Sequence, residues 1–164
     1  MDMDIKECFE YARIKHEGQK RRNGEPYIEH PKRVADYLKN KGFGIEYQIV
    51  GLFHDLLEDT DAKEEDILAL SNAEILTAVR LLTKRKGLSS KEYIRNILNN
   101  PLAKEVKNAD RIDNLKDALE QNPEFVRGYL ENTRSHYYKK FSDELDKAYE
   151  TLKVKLESMD NADK

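Results

Sequence analysis

Apolar residues recur at helical spacing along nearly the whole chain of 164 residues, and this periodicity is the feature that most limits the fold. In the first segment, Ile5, Cys8 and Ala12 fall on one face of a helix. Because no segment shows the two-residue alternation of a half-buried strand, we expect an all-α fold with no significant sheet. The length suits one compact helical bundle, which we assign to residues 1–156, followed by a frayed tail at 157–164.

Prolines, glycines and capping residues divide this pattern into separate helices. Gly24 and Pro26 mark a loop after the first helix, and Pro101 suits the first turn of a later one. Ser89 and Asn122 stand where a side chain can cap the following helix. The predicted helices after the loop cover 31–40, about 45–58, 63–69, 72–82, 90–99, 101 to about 120, and 123 to near 156.

Composition excludes several classes of protein. A net charge of −3, from 29 basic and 32 acidic residues, does not support nucleic-acid binding over the whole surface. The single cysteine, Cys8, excludes an internal disulfide framework and a cysteine-rich zinc site. No apolar run approaches the roughly 20 residues of a membrane span, and the acidic start MDMDIKECFEYA lacks a signal peptide's pattern. We therefore expect a cytoplasmic protein without nucleic-acid or membrane partners; its oligomeric state is not indicated.

The segment GLFHDLLEDT, residues 51–60, places four ionisable side chains among large apolar ones. On a helix, His54 and Glu58 lie on one side, and Asp55 and Asp59 form a neighbouring pair. Burying unpaired carboxylates is costly, and a cation placed among them removes that cost. Imidazole nitrogen and carboxylate oxygen suit Mn, Fe, Zn or, less well, Mg. An acidic, solvated helix end is the alternative interpretation.

Two further segments supply ligand-type residues. His30 precedes a proline, so its backbone is extended and its side chain can project from the mouth of a helix; the alternative is a helix-capping histidine. Asp110 lies four residues before Asn114, on the same helix face. The alternative for Asp110 is a salt bridge with Arg111 or Lys107 on an exposed helix.

The segments RRNGEPYIEHP, HDLLEDT and NADRIDNL, in that order, resemble the hydrolase domain of the RelA/SpoT alarmone enzymes and their stand-alone relatives. The resemblance covers about residues 5 to 145 and implies an HD-type, metal-dependent phosphohydrolase with one divalent ion, usually Mn²⁺. It implies metal ligands at His30, His54, Asp55 and Asp110, and a catalytic pair at Glu58 and Asp59. It also implies substrate contacts at Arg21, Arg22, Asn114, Arg134 and Tyr138.

The same resemblance gives these residues roles and suggests a nucleotide substrate. Arg21 matches an arginine that stacks on guanine and Arg22 a basic neighbour, while Arg134 and Tyr138 match a nucleotide-contacting pair four apart on the last helix. The implied reaction removes the 3′-pyrophosphate of ppGpp and leaves GDP. Two alternatives are an HD phosphohydrolase for another nucleotide or phosphate monoester, and a non-catalytic nucleotide-binding HD module.

The chain departs from the family pattern in ways that leave the exact substrate open. After Asn114 it reads LKDAL where the large enzymes have a Met-Arg-Thr pattern, and the segment before Asp110 is shorter. His16 lies on the apolar side of the first helix and is interpreted as structural. His136 and the basic run at 84–86 have no assigned role; that run is either a phosphate-binding edge or a surface loop.

Overall fold

Helices account for the regular structure of residues 2–162, which the computed structural model describes, apart from one isolated antiparallel bridge between Lys20 and Pro26. The prediction of an all-α fold is therefore confirmed. The chain divides into two compact units, and the boundary between them follows Ala109, inside a helix. The assignment of residues 1–156 to one domain stays a prediction. Within residues 2–162, no helix is long and apolar enough to cross a membrane.

The first unit is built around its third helix, α3, which packs against α1, α2 and α6. Ser89 caps α7 as predicted, because its Oγ accepts a hydrogen bond from the Glu92 N–H at 3.1 Å. The helices are α1 (Ile5–Lys15), α2 (Glu29–Asn40), α3 (Ile45–Phe53), α4 (Leu56–Asp59), α5 (Glu64–Leu70), α6 (Ala73–Leu82), α7 (Ser90–Leu98) and α8 (Pro101–Asp117), which continues past Ala109.

Close contact between α2 and α3 depends on Gly51. A Cβ atom at this position would lie 3.2 Å from Val34 Cγ1, 3.3 Å from Leu38 Cδ1 and 3.4 Å from the Ala35 Cα atom. The two side-chain distances are tighter than ordinary van der Waals contact, and the α2 backbone at Ala35 is at the lower limit of ordinary contact. The absence of a side chain at Gly51 therefore sets how near the two helices approach.

We expect Gly51→Ala to destabilise the protein by about 1–3 kcal/mol relative to Gly128→Ala, since overpacking a close contact forces neighbouring atoms to move. Gly128 is the matched control because it lies inside a helix, and a Cβ atom there would meet nothing within 4 Å. Both substitutions gain the same helix propensity, roughly 1 kcal/mol. Urea unfolding of the two variants measures the difference in stability. Equal stability would show that the contact between α2 and α3 accommodates a methyl group at position 51.

The second unit contains a helix break that the sequence pattern did not reveal. The predicted helix from 123 to near 156 is wrong, because the segment forms α9 (Pro123–His136) and α10 (Asp143–Ala162). Between them Lys139 adopts a left-handed φ of 64°, and Ser142 Oγ accepts a hydrogen bond from the Leu145 N–H at 3.1 Å. Because α10 reaches Ala162, residues 157–162 of the expected tail are helical; residues 163–164 lie outside the described range.

Arg111 forms a buried polar centre in the second unit. Its guanidinium carbon lies 4.5 Å from the Tyr129 ring centroid and 3.8 Å from the Tyr137 centroid. Its Nη1 also donates to Thr133 Oγ1 at 3.3 Å. The aromatic faces and the hydroxyl stabilise a cation that is 8% exposed. The arginine thus ties the start of this unit to α9, the helix that Asn122 caps as predicted.

Candidate active site

Two buried imidazoles come together where α2 packs on α3. His30 lies in the first turn of α2 and His54 directly follows α3; they are 1% and 2% exposed, with ring centroids 5.3 Å apart. His54 Nδ1 lies 2.6 Å from the Gly51 carbonyl oxygen. Because a carbonyl only accepts, Nδ1 carries the proton, so a neutral His54 ring has its lone pair on Nε2. The backbone therefore sets His54 in the tautomer that a metal ligand needs.

Asp110, which follows Ala109 on α8, supplies a carboxylate to the same group. One ligand atom from each of His30, His54 and Asp110 lies within 4.8 Å of the other two, and all three residues are buried. Asn114 Nδ2 donates to Asp110 Oδ1 at 3.2 Å, as the shared helix face predicted. Buried imidazoles facing a buried carboxylate fit a divalent metal ion, since the ion offsets the cost of the carboxylate charge.

The helix predicted at about 45–58 is wrong in one respect, because it is interrupted at His54 and Asp55. Here α3 ends at Phe53 and α4 begins at Leu56. The interruption coincides with the bond from the His54 ring to the Gly51 carbonyl, an oxygen that the Asp55 N–H would reach in a continuous helix. The His54 ring thus contacts a carbonyl that accepts from the backbone in a continuous helix, and His54 and Asp55 belong to two different groups of potential ligand atoms.

Asp55 stands between the imidazoles and a second cluster of carboxylates. Its Oδ2 lies 3.0 Å from His54 Nε2 and 4.0 Å from His30 Nε2. Ligand oxygens of Asp55, Glu58 and Asp59 lie within 4.8 Å of one another. The structure therefore places Glu58 and Asp59, the predicted catalytic pair, close to Asp55 and about one helical turn after it in the chain.

Tyr27 is a site residue that the sequence interpretation missed. Its hydroxyl donates to Asp55 Oδ2 at 2.5 Å, and its ring lies 5.8 Å from that of His30. A hydroxyl in this position fixes the carboxylate beside the imidazoles. The sequence signal for it was its place three residues before His30, on the same loop.

Glu58 is exposed to solvent, and one of its oxygens is held by a backbone hydrogen bond. Its Oε1 accepts a hydrogen bond from the backbone N–H of Lys84 at 3.0 Å, so the basic run at 84–86 contacts the acidic pair through its main chain. Partial desolvation by the surrounding protein raises the pKa of Glu58 above its usual value, and the Asp59 and Asp55 carboxylates add to the rise. The Lys84 bond and the charge of Lys107 oppose it. A carboxylate with a raised pKa is suited to proton transfer.

The predicted substrate-binding residues differ in their surroundings. The Arg21 guanidinium lies 5.7 Å from the centroid of Tyr27, the residue that bonds Asp55, whereas Arg22 is exposed. Arg134 pairs with Glu131 at 2.6 Å. Tyr138 follows the end of α9, so the prediction that it shares a helix with Arg134 is wrong, and its hydroxyl donates to Glu150 at 2.7 Å. Their roles toward a substrate stay predictions.

The fold is helical and brings buried histidine and aspartate side chains together beside further carboxylates. These features are typical of metal-dependent helical hydrolases. A family model described as the HD domain matches residues 8–142, and the chain belongs to this family.

Relatives with established names agree with the RelA/SpoT resemblance. The guanosine-3′,5′-bis(diphosphate) 3′-pyrophosphohydrolase MESH1 of Drosophila melanogaster is 32% identical over 93% of this chain and 90% of its own length. The guanosine-3′,5′-bis(diphosphate) 3′-pyrophosphohydrolase of Aquifex aeolicus is 37% identical over 69% of this chain, which corresponds to only 17% of the larger protein. A solved structure described as a metazoan ortholog of SpoT that hydrolyzes ppGpp matches with a TM-score of 0.68 and 26% identity, covering 90% of this chain and 92% of that one.

Proposed function

We propose that this protein is a metal-dependent 3′-pyrophosphohydrolase of guanosine alarmones, which converts ppGpp to GDP and pyrophosphate. The observation that carries the proposal is the pairing of two ligand groups, the buried His30, His54 and Asp110 and the adjacent Asp55, Glu58 and Asp59. Similarity to MESH1 over nearly the full length of both chains supports the substrate class.

The metal ligands in this proposal are His30, His54, Asp55 and Asp110, and the ion is Mn²⁺. Two imidazole nitrogens and two carboxylates form a mixed donor set that suits manganese better than magnesium. A bound divalent ion neutralises charge on the phosphoryl oxygens and acidifies water. Tyr27 and Asn114 hold the two carboxylates through the hydrogen bonds described above.

Glu58 and Asp59 move the proton in this mechanism. Water attacks the phosphorus attached to the ribose 3′ oxygen, and its proton passes to the Glu58–Asp59 pair. The bond between phosphorus and the 3′ oxygen breaks, and the same pair returns the proton to that oxygen. Adjacent carboxylates near a cation have separated pKa values, which suits this exchange. The products are GDP with a free 3′ hydroxyl and pyrophosphate.

The nucleotide is held by Arg21, Arg22, Asn114, Arg134 and Tyr138 in this proposal. Arg21 offers its planar guanidinium to the guanine base, and Arg22 offsets phosphate charge. Both stand on the loop that leads to His30, so the loop connects the metal ligand to the far end of the nucleotide.

We expect Arg21→Ala to raise KM for ppGpp by up to about thirtyfold, because an arginine over a purine contributes roughly 0.5–2 kcal/mol. Lys20→Ala is the matched control, since Lys20 is an exposed cation on the same loop. Steady-state kinetics on both variants measure the difference. An unchanged KM in Arg21→Ala would refute the stacking role and leave the metal-site assignment standing.

A substrate panel tests the proposed function as a whole. Protein loaded with Mn²⁺ is incubated with ppGpp, GTP, ATP, CTP, GMP and a phosphate monoester, and orthophosphate and pyrophosphate are assayed separately. We expect pyrophosphate from ppGpp only. Orthophosphate release, or equal turnover of guanosine and pyrimidine nucleotides, would indicate a phosphohydrolase with another substrate. Tight ppGpp binding without turnover would indicate a non-catalytic module.

A further inference from the structure

His16 is a buried histidine that the mechanism above does not use. It ends α1 and is 2% exposed. Its Nδ1 lies 2.7 Å from Gln19 Oε1, and Gln19 Nε2 donates to the Asp59 backbone carbonyl at 2.8 Å. A chain of hydrogen bonds therefore runs from His16 to the backbone of the catalytic pair.

This chain determines which nitrogen of His16 carries the proton. The Asp59 carbonyl can only accept, so the end of Gln19 that faces it must be the amide nitrogen. The oxygen of Gln19 consequently faces His16 and requires a proton on Nδ1. With the proton on Nδ1, the neutral ring holds a lone pair on Nε2, and burial favours that neutral form because it lowers the pKa of His16 below its usual value.

The other ring nitrogen of His16, Nε2, takes no part in these hydrogen bonds. It is buried and has no hydrogen-bond partner within residues 2–162. The His16 ring lies 4.8 Å from that of Tyr27, the residue that bonds Asp55. Titratable groups that act electrostatically on His16 include Asp55, His54 and Asp59, which are residues of the site. A buried acceptor without a donor is costly unless a water molecule supplies one.

We propose that Nε2 of His16 accepts a hydrogen bond from a water molecule that also binds the Asp55–Asp59 carboxylates, which makes His16 a positioning residue for the catalytic pair. It acts on the pair from two sides, through this water and through Gln19. The inference rests on the proposed hydrolysis, because it describes how His16 positions the catalytic pair for the proton transfer in that reaction.

Two substitutions separate the two nitrogens of His16. Asparagine places an amide donor near the position of Nδ1 and loses the atom at Nε2, whereas glutamine extends an oxygen toward the position of Nε2. We expect His16→Asn to lower kcat for ppGpp by about ten- to a hundredfold, the value of one hydrogen bond in a charged network, with KM unchanged. We expect His16→Gln to restore most of that loss, and metal content to be equal in both variants.

Other outcomes overturn the proposal. Equal kcat in both variants, or a better His16→Asn enzyme, would limit His16 to the Gln19 contact or to packing. Loss of metal in His16→Asn would make Nε2 a ligand.

Nitrogen-15 NMR of the metal-free unaltered protein gives a readout that needs no activity. We expect Nδ1 of His16 to be protonated and Nε2 to be bare, and a proton on Nε2 would contradict the proposal. If the unaltered protein does not hydrolyse ppGpp, the proposed function fails, while the NMR result still decides which nitrogen is the acceptor.

Discussion

His54→Ala and Asp110→Ala proteins are expected to lose both bound metal and hydrolytic activity. Each substitution removes one of three buried residues, proposed as metal ligands, that each offer a ligand atom within 4.8 Å of the others. Losing the ion forfeits several kcal/mol of charge stabilisation, so we expect activity to fall by roughly 10³-fold or more. Elemental analysis after dialysis measures the metal, and a pyrophosphate assay measures turnover on the same samples.

Matched controls for these variants come from outside the ligand groups. His136→Ala and Asp160→Ala remove the same side-chain types from α9 and α10. Asp160 pairs with Arg127 at the surface. Both controls should keep full metal content and turnover. Full metal occupancy in His54→Ala and Asp110→Ala would show that these residues are not the ligands.

Glu58→Gln is expected to lower kcat by about 10²–10⁴-fold and to leave metal content nearly unchanged, because the side chain transfers a proton in the proposed mechanism. Glutamine preserves the acceptor oxygen for the Lys84 N–H, so the local structure should survive. Glu65→Gln is the control, since Glu65 is exposed on α5. A variant that lost metal but kept kcat per loaded enzyme would make Glu58 a ligand.

The pH profile gives a second test of Glu58. A base must be deprotonated to accept the proton of water, and partial desolvation raises the pKa of Glu58 above its usual value. Activity of the unaltered enzyme should therefore rise with pH through that raised pKa, and the acid side of the profile should lie above the ordinary carboxylate range. The Glu58→Gln enzyme should lack this limb. An identical acid limb in the variant would assign it to another group.

Local signals were readable from sequence because they depend on neighbouring residues. Ser89 and Asn122 cap the helices they precede, as expected from the side-chain oxygen of each and its place before an apolar pattern. The sequence pointed to His30, His54 and Asp110, which the structure brings together, because ligand-type residues stand out among apolar ones.

Three other features left no comparable signal in the sequence. The helix containing His54 breaks where its ring meets the Gly51 carbonyl, which an apolar period cannot show. The break at Lys139 occurs without glycine, at a positive φ that a lysine seldom adopts. Tyr27 reaches Asp55 across 28 positions of sequence, so its role depended on the packing of the loop.

The fate of the oxygen atom from water shows which phosphorus atom of ppGpp is attacked. The Mn²⁺-loaded protein is incubated with ppGpp in ¹⁸O-labelled water. The products are separated, and mass spectrometry measures the ¹⁸O content of each. Attack at the phosphorus attached to the 3′ oxygen places one labelled atom in pyrophosphate and none in GDP. Labelled orthophosphate, which requires attack at the terminal phosphorus, or label in GDP would contradict the account.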